Sequence, residues 1–213
     1  MSVELLERVV LENFPVTTMP QTGHLVRPKS LGQRYVVARE GLFREVSTPW
    51  LYALLPLASI RGMQAPYGPC LPTVELTMNQ PPAHLWRMFR EMAEQALPHE
   101  CAGAFIWNTV TAEWRLAVRE AQNASPHHVD FAEAPMGEDE VLVVDIHSHA
   151  SHKAFFSSTD DRDDAGGLKI AAVLGQVDTE SPTLCLRLVC LDRFLPMRLD
   201  QSGALDVHIE VVA

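Results

Sequence analysis

The clearest helical pattern in the chain opens at Asn79-Gln80-Pro81-Pro82 and runs to Pro98. Leu85, Met88, Phe89, Met92 and Ala96 recur three or four positions apart and predict one buried stripe. Asn79 is the candidate cap, Pro81 and Pro82 suit a first turn, and Pro98 ends the helix. Elsewhere the apolar runs are short or alternate, as strands do. Arg34–Ala38 and Leu42–Val46 flank Arg39-Glu40-Gly41 as a hairpin, Trp50–Leu55 reads as a further strand, and Thr73–Thr77 alternates like a sheet edge. Ala104–Trp107 and Glu113–Val118 form a second strand pair. The polar stretch 119–140 holds one expected strand near His128–Ala132. Val141–Val144, Leu168–Val177 and Thr183–Leu191 read as buried strands, and Val207–Val211 as an edge.

A helix followed by strands, with a short helix expected after residue 157, predicts an α/β (α+β) domain over residues 81–213. Prolines crowd the preceding region and disfavour long helices there, so residues 1–80 are expected to form a small, mainly-β accessory unit.

Composition narrows the function classes. Hydrophobic residues make up 47% of the chain, enough for a substantial core. A net charge of −10, with no offsetting basic cluster, argues against a nucleic-acid partner. No stretch approaches a membrane span, and the acidic start lacks a basic leader, so a cytoplasmic location without a membrane partner is expected. Cys70, Cys101, Cys185 and Cys190 have no zinc-finger spacing and read as free thiols.

Candidate chemistry concentrates in VLVVDIHSHASHKAFFSSTDDRDD, Val141 to Asp164. Side chains two apart on a strand share a face, so His147 and His149 point the same way and Ser148 points off that face as a structural residue. Beyond Ser157 the acids Asp160, Asp161, Asp163 and Asp164 suit the first turn of a helix. A loop returning through that helix start can bring Asp160 back to the two imidazoles. Two histidines and one carboxylate are a three-ligand set with a fourth position open, and they suit one Zn2+ per chain; iron(II) takes a similar set.

The spacing His147-x-His149-x7-Ser157-x2-Asp160 resembles the motif of the JAMM (JAB/MPN+) metalloproteases without gap or substitution. That family also carries an upstream glutamate, which Leu97-Pro98-His99-Glu100-Cys101-Ala102-Gly103 supplies at Glu100. Pro49-Trp50-Leu51, Ala65-Pro66-Tyr67-Gly68, Phe155-Phe156-Ser157 and Asp163-Asp164-Ala165-Gly166 make the wider chain similar to the bacterial JAMM subgroup of PRTRC systems. The resemblance implies a three-layer domain whose mixed central sheet is flanked by helices. It implies a zinc-dependent peptidase or isopeptidase acting at the C-terminus of a ubiquitin-like modifier, with Glu100 as general base and Ser157 as oxyanion donor. The implied partners are that ubiquitin-like protein or its conjugates, and E1-like and E2-like proteins of the same operon.

Other readings compete. Ser157 is equally a helix cap, and a His-x-His pair alone is weak. Some members of the wider MPN family are non-catalytic interaction subunits, and a JAMM hydrolase can also be directed at a sulfur-carrier adduct or a small peptide. Glu100 lies in a near-miss of H-E-x-x-H, because Gly103 stands where the second histidine is required. His127 and His128 are adjacent and diverge, and His152 is expected at the surface. No G-x-S-x-G, Walker A or G-x-G-x-x-G motif is present.

Overall fold

A computed structural model describes residues 3–60, 65–125 and 128–208 of the chain. The described residues divide into two compact units, one up to Met78 and one over Asn79–His208.

The first unit opens with α1, Val3–Asn13, which the proline content did not suggest. Its reason is local: VELLERVVLEN holds good helix formers and no proline before Pro15. The unit is otherwise a five-stranded sheet of β1 (Val16–Thr18), β2 (Gly32–Val37), β3 (Gly41–Ser47), β4 (Leu51–Ser59) and β5 (Thr73–Leu76), in that order. β1 and β2 are parallel, and the other pairings antiparallel. β2 and β3 are the expected hairpin. Its turn needs a glycine at Gly41, where φ is 149° and a Cβ would lie 2.0 Å from the Ala58 carbonyl oxygen. Leu51 to Leu55 are buried on both faces, as a strand inside the sheet requires.

The second unit begins with α2, Ala83–Ala96. Its cap is Pro82 rather than Asn79, whose side-chain oxygen accepts a hydrogen bond from Trp107 Nε1 at 2.8 Å. Leu85, Phe89 and Ala93 form its buried stripe, while Met88 turns outward at 48% exposure. The stripe therefore follows a four-residue step, and Ala93 takes the place expected of Met92. The strands are β6 (Ala102–Asn108), β7 (Trp114–Arg119), β8 (Ala121–Ser125), β9 (His128–Phe131) and β10 (Glu140–Ser148). After α3, Ser158–Asp164, come β11 (Leu168–Gly175), β12 (Thr183–Cys190), β13 (Arg193–Leu199) and β14 (Leu205–Val207).

Seven of these strands form one mixed sheet in the order β14-β13-β12-β11-β10-β6-β7, with only β10 and β11 parallel. β8 and β9 form a separate hairpin where a single strand was expected. β13 carries exposed residues and Pro196, which hid it from a hydrophobic pattern. The expected edge strand Val207–Val211 falls largely on residues outside those described, as does His127; the strand seen there is β14.

Alternation divides the sheet into two working faces. Phe105, Val144, Ile146, Ile170 and Leu188 lie at or below 1% exposure. On the side of Phe105, Trp86 of α2 meets its ring edge-on at a centroid distance of 4.8 Å. Gly103 lets α2 approach, since a Cβ there would stand 3.2 Å from Phe89 Cδ2. The opposite face carries Asp145, His147, Lys169 and Arg187, and α3 lies over it. The result is the expected α/β arrangement, with a mixed sheet between helices. Among the described residues no helix is long and apolar enough to cross a membrane.

Candidate metal centre

His147 lies near the end of β10, paired on one side with Ala102 of β6 and on the other with Val173 of β11. His149 extends the strand by one hydrogen bond, from its N–H to the Leu174 carbonyl at 2.8 Å. Beyond it the chain turns through Ala150 at φ 47°. The loop is then held across the ends of β11 and β12. Gln176 N–H donates to the His152 carbonyl at 2.7 Å, Ala154 N–H to Thr183 Oγ1 at 2.9 Å, and Cys185 Sγ to the Ala154 carbonyl at 3.3 Å. Gly175 makes this contact possible, because a Cβ there would lie 2.2 Å from Ala154 N.

The loop delivers Ser157 as the N-cap of α3, in a capping box closed by Asp160. Asp160 Oδ1 faces His147 Nε2 at 3.5 Å, and His147 Nε2 faces His149 Nε2 at 3.2 Å. One donor atom from each of the three residues lies within 4.8 Å of the others. Zinc bonds of about 2.0–2.1 Å in a tetrahedron would place donor atoms about 3.3 Å apart, close to the two shorter separations. The donor set and its spacing therefore fit a zinc ion. Burial lowers the His147 pKa, as does His149, with Asp160, Asp145 and Asp164 opposing. The neutral imidazole that results is the form a metal needs. Phe155 sets its ring against His149 at 4.7 Å, edge to face, and is itself 53% exposed.

Glu100 stands two residues before β6 and lines the same groove as His147, His149, Ser157 and Asp160. Although the residue is exposed, its carboxyl is drawn partly away from water, which raises its pKa; Asp160 adds to the rise, while His149 and His152 oppose it. Its position follows from a lacing of its neighbour Cys101 to Ser148. Ser148 N–H donates to the Cys101 carbonyl at 2.9 Å, and Cys101 N–H to Ser148 Oγ at 3.0 Å. Ser148, fully buried, ties the Glu100 segment to the histidine strand. His152 and Asp163 sit at the exposed rim of the groove.

The groove measures about 1110 Å³ and extends past Ala102 and Ala171 to an apolar wall that includes Phe131, Ala134, Met136 and Leu142. Arg119 fixes that wall by donating to the Ala132 carbonyl at 2.8 Å and the Phe131 carbonyl at 3.2 Å, while its Nη1 bonds Asp145 at 2.5 Å. Asp145 also accepts from Lys169 Nζ at 2.7 Å, which pairs in turn with Asp164 at 2.7 Å. Burial would raise the Asp145 carboxyl, but Lys169 and Arg119 outweigh it and hold the pKa below its ordinary value. Burial likewise opposes the Lys169 charge, and Asp145 and Asp164 outweigh it and raise that pKa.

This chain of charges was not legible in the sequence motif. One sign of it was present: Arg187 interrupts the apolar run Leu184-Cys185-Leu186-Arg187-Leu188, and a buried arginine requires a buried acid.

Comparison with known proteins sets the site in a family. A domain of unknown function, DUF2016, matches residues 4–77. The prokaryotic homologs of the JAB domain match residues 82–189, which contain Glu100, His147, His149, Ser157 and Asp160. No curated protein matches the chain. Among solved structures, the solution structure of protein DSY2949 from Desulfitobacterium hafniense is similar at 16% identity. It covers 59% of this chain and 86% of its own, with a TM-score of 0.36. The family match spans half of the chain and encloses the whole candidate centre, and the protein belongs to the prokaryotic homologs of the JAB domain.

Proposed function

We propose that the protein is a zinc-dependent peptidase or isopeptidase of the JAMM type, hydrolysing the bond at the C-terminus of a ubiquitin-like modifier. The observation that carries the reading is the convergence of His147, His149 and Asp160 in one groove that Glu100 and Ser157 also line. Zinc, when bound, supplies the Lewis acidity that makes hydrolysis feasible near neutral pH.

The protein's own residues divide the remaining work. Among the described residues Glu100 makes no hydrogen bond or ion pair, so its carboxylate is available to take the proton of the attacking water and return it to the leaving amine. Its raised pKa brings it nearer the range in which a base can also act as an acid. Ser157 Oγ accepts from Asp160 N–H, which leaves its own O–H to donate to the developing oxyanion. The cap and the oxyanion donor are thus compatible roles of one hydroxyl. The groove leading to Phe131 and Met136 accommodates an extended tail, and its mixed apolar and charged lining suits a peptide. E1-like and E2-like proteins of a shared operon are the partners such a system would employ.

The test is cleavage of a ubiquitin-like protein from the same operon carrying a C-terminal extension. Wild type is expected to release the extension, and Glu100→Gln to be slower by roughly 10²–10⁴-fold. Equal rates in the two proteins would place the base elsewhere. No cleavage by zinc-loaded wild type would favour a non-catalytic role.

A further inference from the structure

Ser157 and Asp160 belong to a four-residue segment whose two flanks rest on the same buried guanidinium. Phe156, directly before Ser157, stacks on Arg187 with its ring centroid 3.9 Å from Cζ. Asp161, directly after Asp160, accepts from Arg187 Nη1 at 2.5 Å. At the end of α3, Asp164 Oδ2 accepts from Nε at 3.1 Å and from Nη2 at 2.6 Å. Phe194 of β13 lies near the same guanidinium at 4.2 Å. Arg187 is 7% exposed and Asp164 5%.

Burying this ion pair costs desolvation on both partners, which a pair repays only with good geometry and further hydrogen bonds. An apolar residue would suit the middle of β12 better, with Leu186 and Leu188 buried on either side. What Arg187 adds is a fixed position for the segment between Phe156 and Asp164. We propose that Arg187 is a positioning residue of the metal centre: by clamping Phe156, Asp161 and Asp164 it presents Asp160 to the histidines and the Ser157 hydroxyl to the groove. This rests on the reading of His147, His149 and Asp160 as metal ligands. Lys169 adds a second tie, joining Asp164 at 2.7 Å to Asp145 at 2.7 Å on the histidine strand.

The role demands the guanidinium itself. A lysine ammonium cannot serve two carboxylates as a planar fork and also stack against Phe156 and Phe194. Arg187→Lys is therefore expected to behave as a loss, although charge is conserved.

The experiment measures Zn2+ affinity by chelator competition on full-length wild type, Arg187→Lys, Asp161→Ala and Asp160→Ala. Co2+ absorption spectra and thermal unfolding are recorded on the same proteins. Groups that orient metal ligands typically contribute 10–100-fold in affinity, so Arg187→Lys is expected to weaken zinc by about that factor. The Asp161 side chain is 52% exposed and Asp164 still pairs the buried guanidinium without it, so Asp161→Ala is expected to fold. Asp161→Ala is expected to weaken zinc less, by about tenfold, since the contacts of Arg187 with Phe156 and Asp164 remain. The Co2+ spectrum should shift in both, because the carboxylate ligand is misplaced; a loss of global stability alone would not move it. Wild-type affinity and spectrum in both variants would overturn the proposal. If Arg187→Lys does not fold, Asp161→Ala decides by the same criteria. Wild type without zinc affinity, or Asp160→Ala binding as tightly as wild type, would instead overturn the metal-centre reading itself.

Discussion

Ser157 and Asp160 hold each other through two reciprocal hydrogen bonds. Asp160 N–H donates to Ser157 Oγ at 3.2 Å, and Ser157 N–H donates to Asp160 Oδ2 at 2.6 Å. The second bond occupies one carboxylate oxygen and leaves Oδ1 facing His147. The donor that orients Asp160 is therefore a backbone group, which any residue at position 157 except proline retains.

Ser157→Ala should accordingly keep its zinc. It loses the side-chain cap, at a cost of about 1 kcal/mol in stability, and the hydroxyl donor facing the groove. Losing an oxyanion donor typically lowers turnover by roughly 10²–10³-fold. Metal content, thermal unfolding and cleavage rate on one preparation separate these effects. A variant that loses metal would show that the side chain, not the backbone, holds Asp160.

Gly175→Ala tests the path of the loop that joins His149 to Ser157. The added carbon would meet Ala154 N at 2.2 Å and the His152 carbonyl oxygen at 2.4 Å, both backbone atoms that cannot rotate away. The loop must move, and overpacking of this kind costs about 1–3 kcal/mol. Thermal unfolding should show the loss. An unchanged melting temperature would mean that the loop is not held there.

Glu140 gives the wall of the groove a defined pH dependence. Arg115 donates to its two oxygens at 2.7 and 2.6 Å, Gly137 N–H donates at 2.7 Å, and Arg115 also reaches the Pro135 carbonyl at 2.7 Å. Arg115 and the Gly137 amide lower the Glu140 pKa from 4.5 to about 2. Because the folded value is depressed, the unfolded chain takes up this proton first. The contribution to stability is present above pH 4.5 and is lost as the pH falls toward 2. The melting-temperature gap between wild type and Glu140→Gln should narrow as pH is lowered through that window while both remain folded. A gap independent of pH would show that the ion pair is not its source.

The elements of the site that are close in sequence were legible in it. His147 and His149 share a face because a strand alternates, and Ser157 and Asp160 meet because a capping box spans three residues. Most strands followed from short apolar runs, the mixed sheet from the family resemblance, and α2 from its period, though its stripe and cap were misread. Asn79 bonds Trp107, 28 residues away, and no local rule announces such a partner. The same limit hid the clamp, since Arg187 lies 23 residues from Asp164 and 26 from Asp161. Proline content misdirected the reading of α1, because it describes a whole region and the first fourteen residues contain none. Family resemblance supplied Glu100, whose link to the histidine strand passes through Cys101 and Ser148.

Elemental analysis of purified wild type, His149→Ala and Glu100→Gln tests the central claim most directly. Three ligands with an open fourth position bind a single zinc, so wild type should carry about one per chain. His149→Ala removes a ligand and should carry almost none. Glu100→Gln changes a group outside the set of His147, His149 and Asp160 and should match wild type. Equal zinc in wild type and His149→Ala would contradict the site, and loss of zinc from Glu100→Gln would make Glu100 a ligand rather than the base.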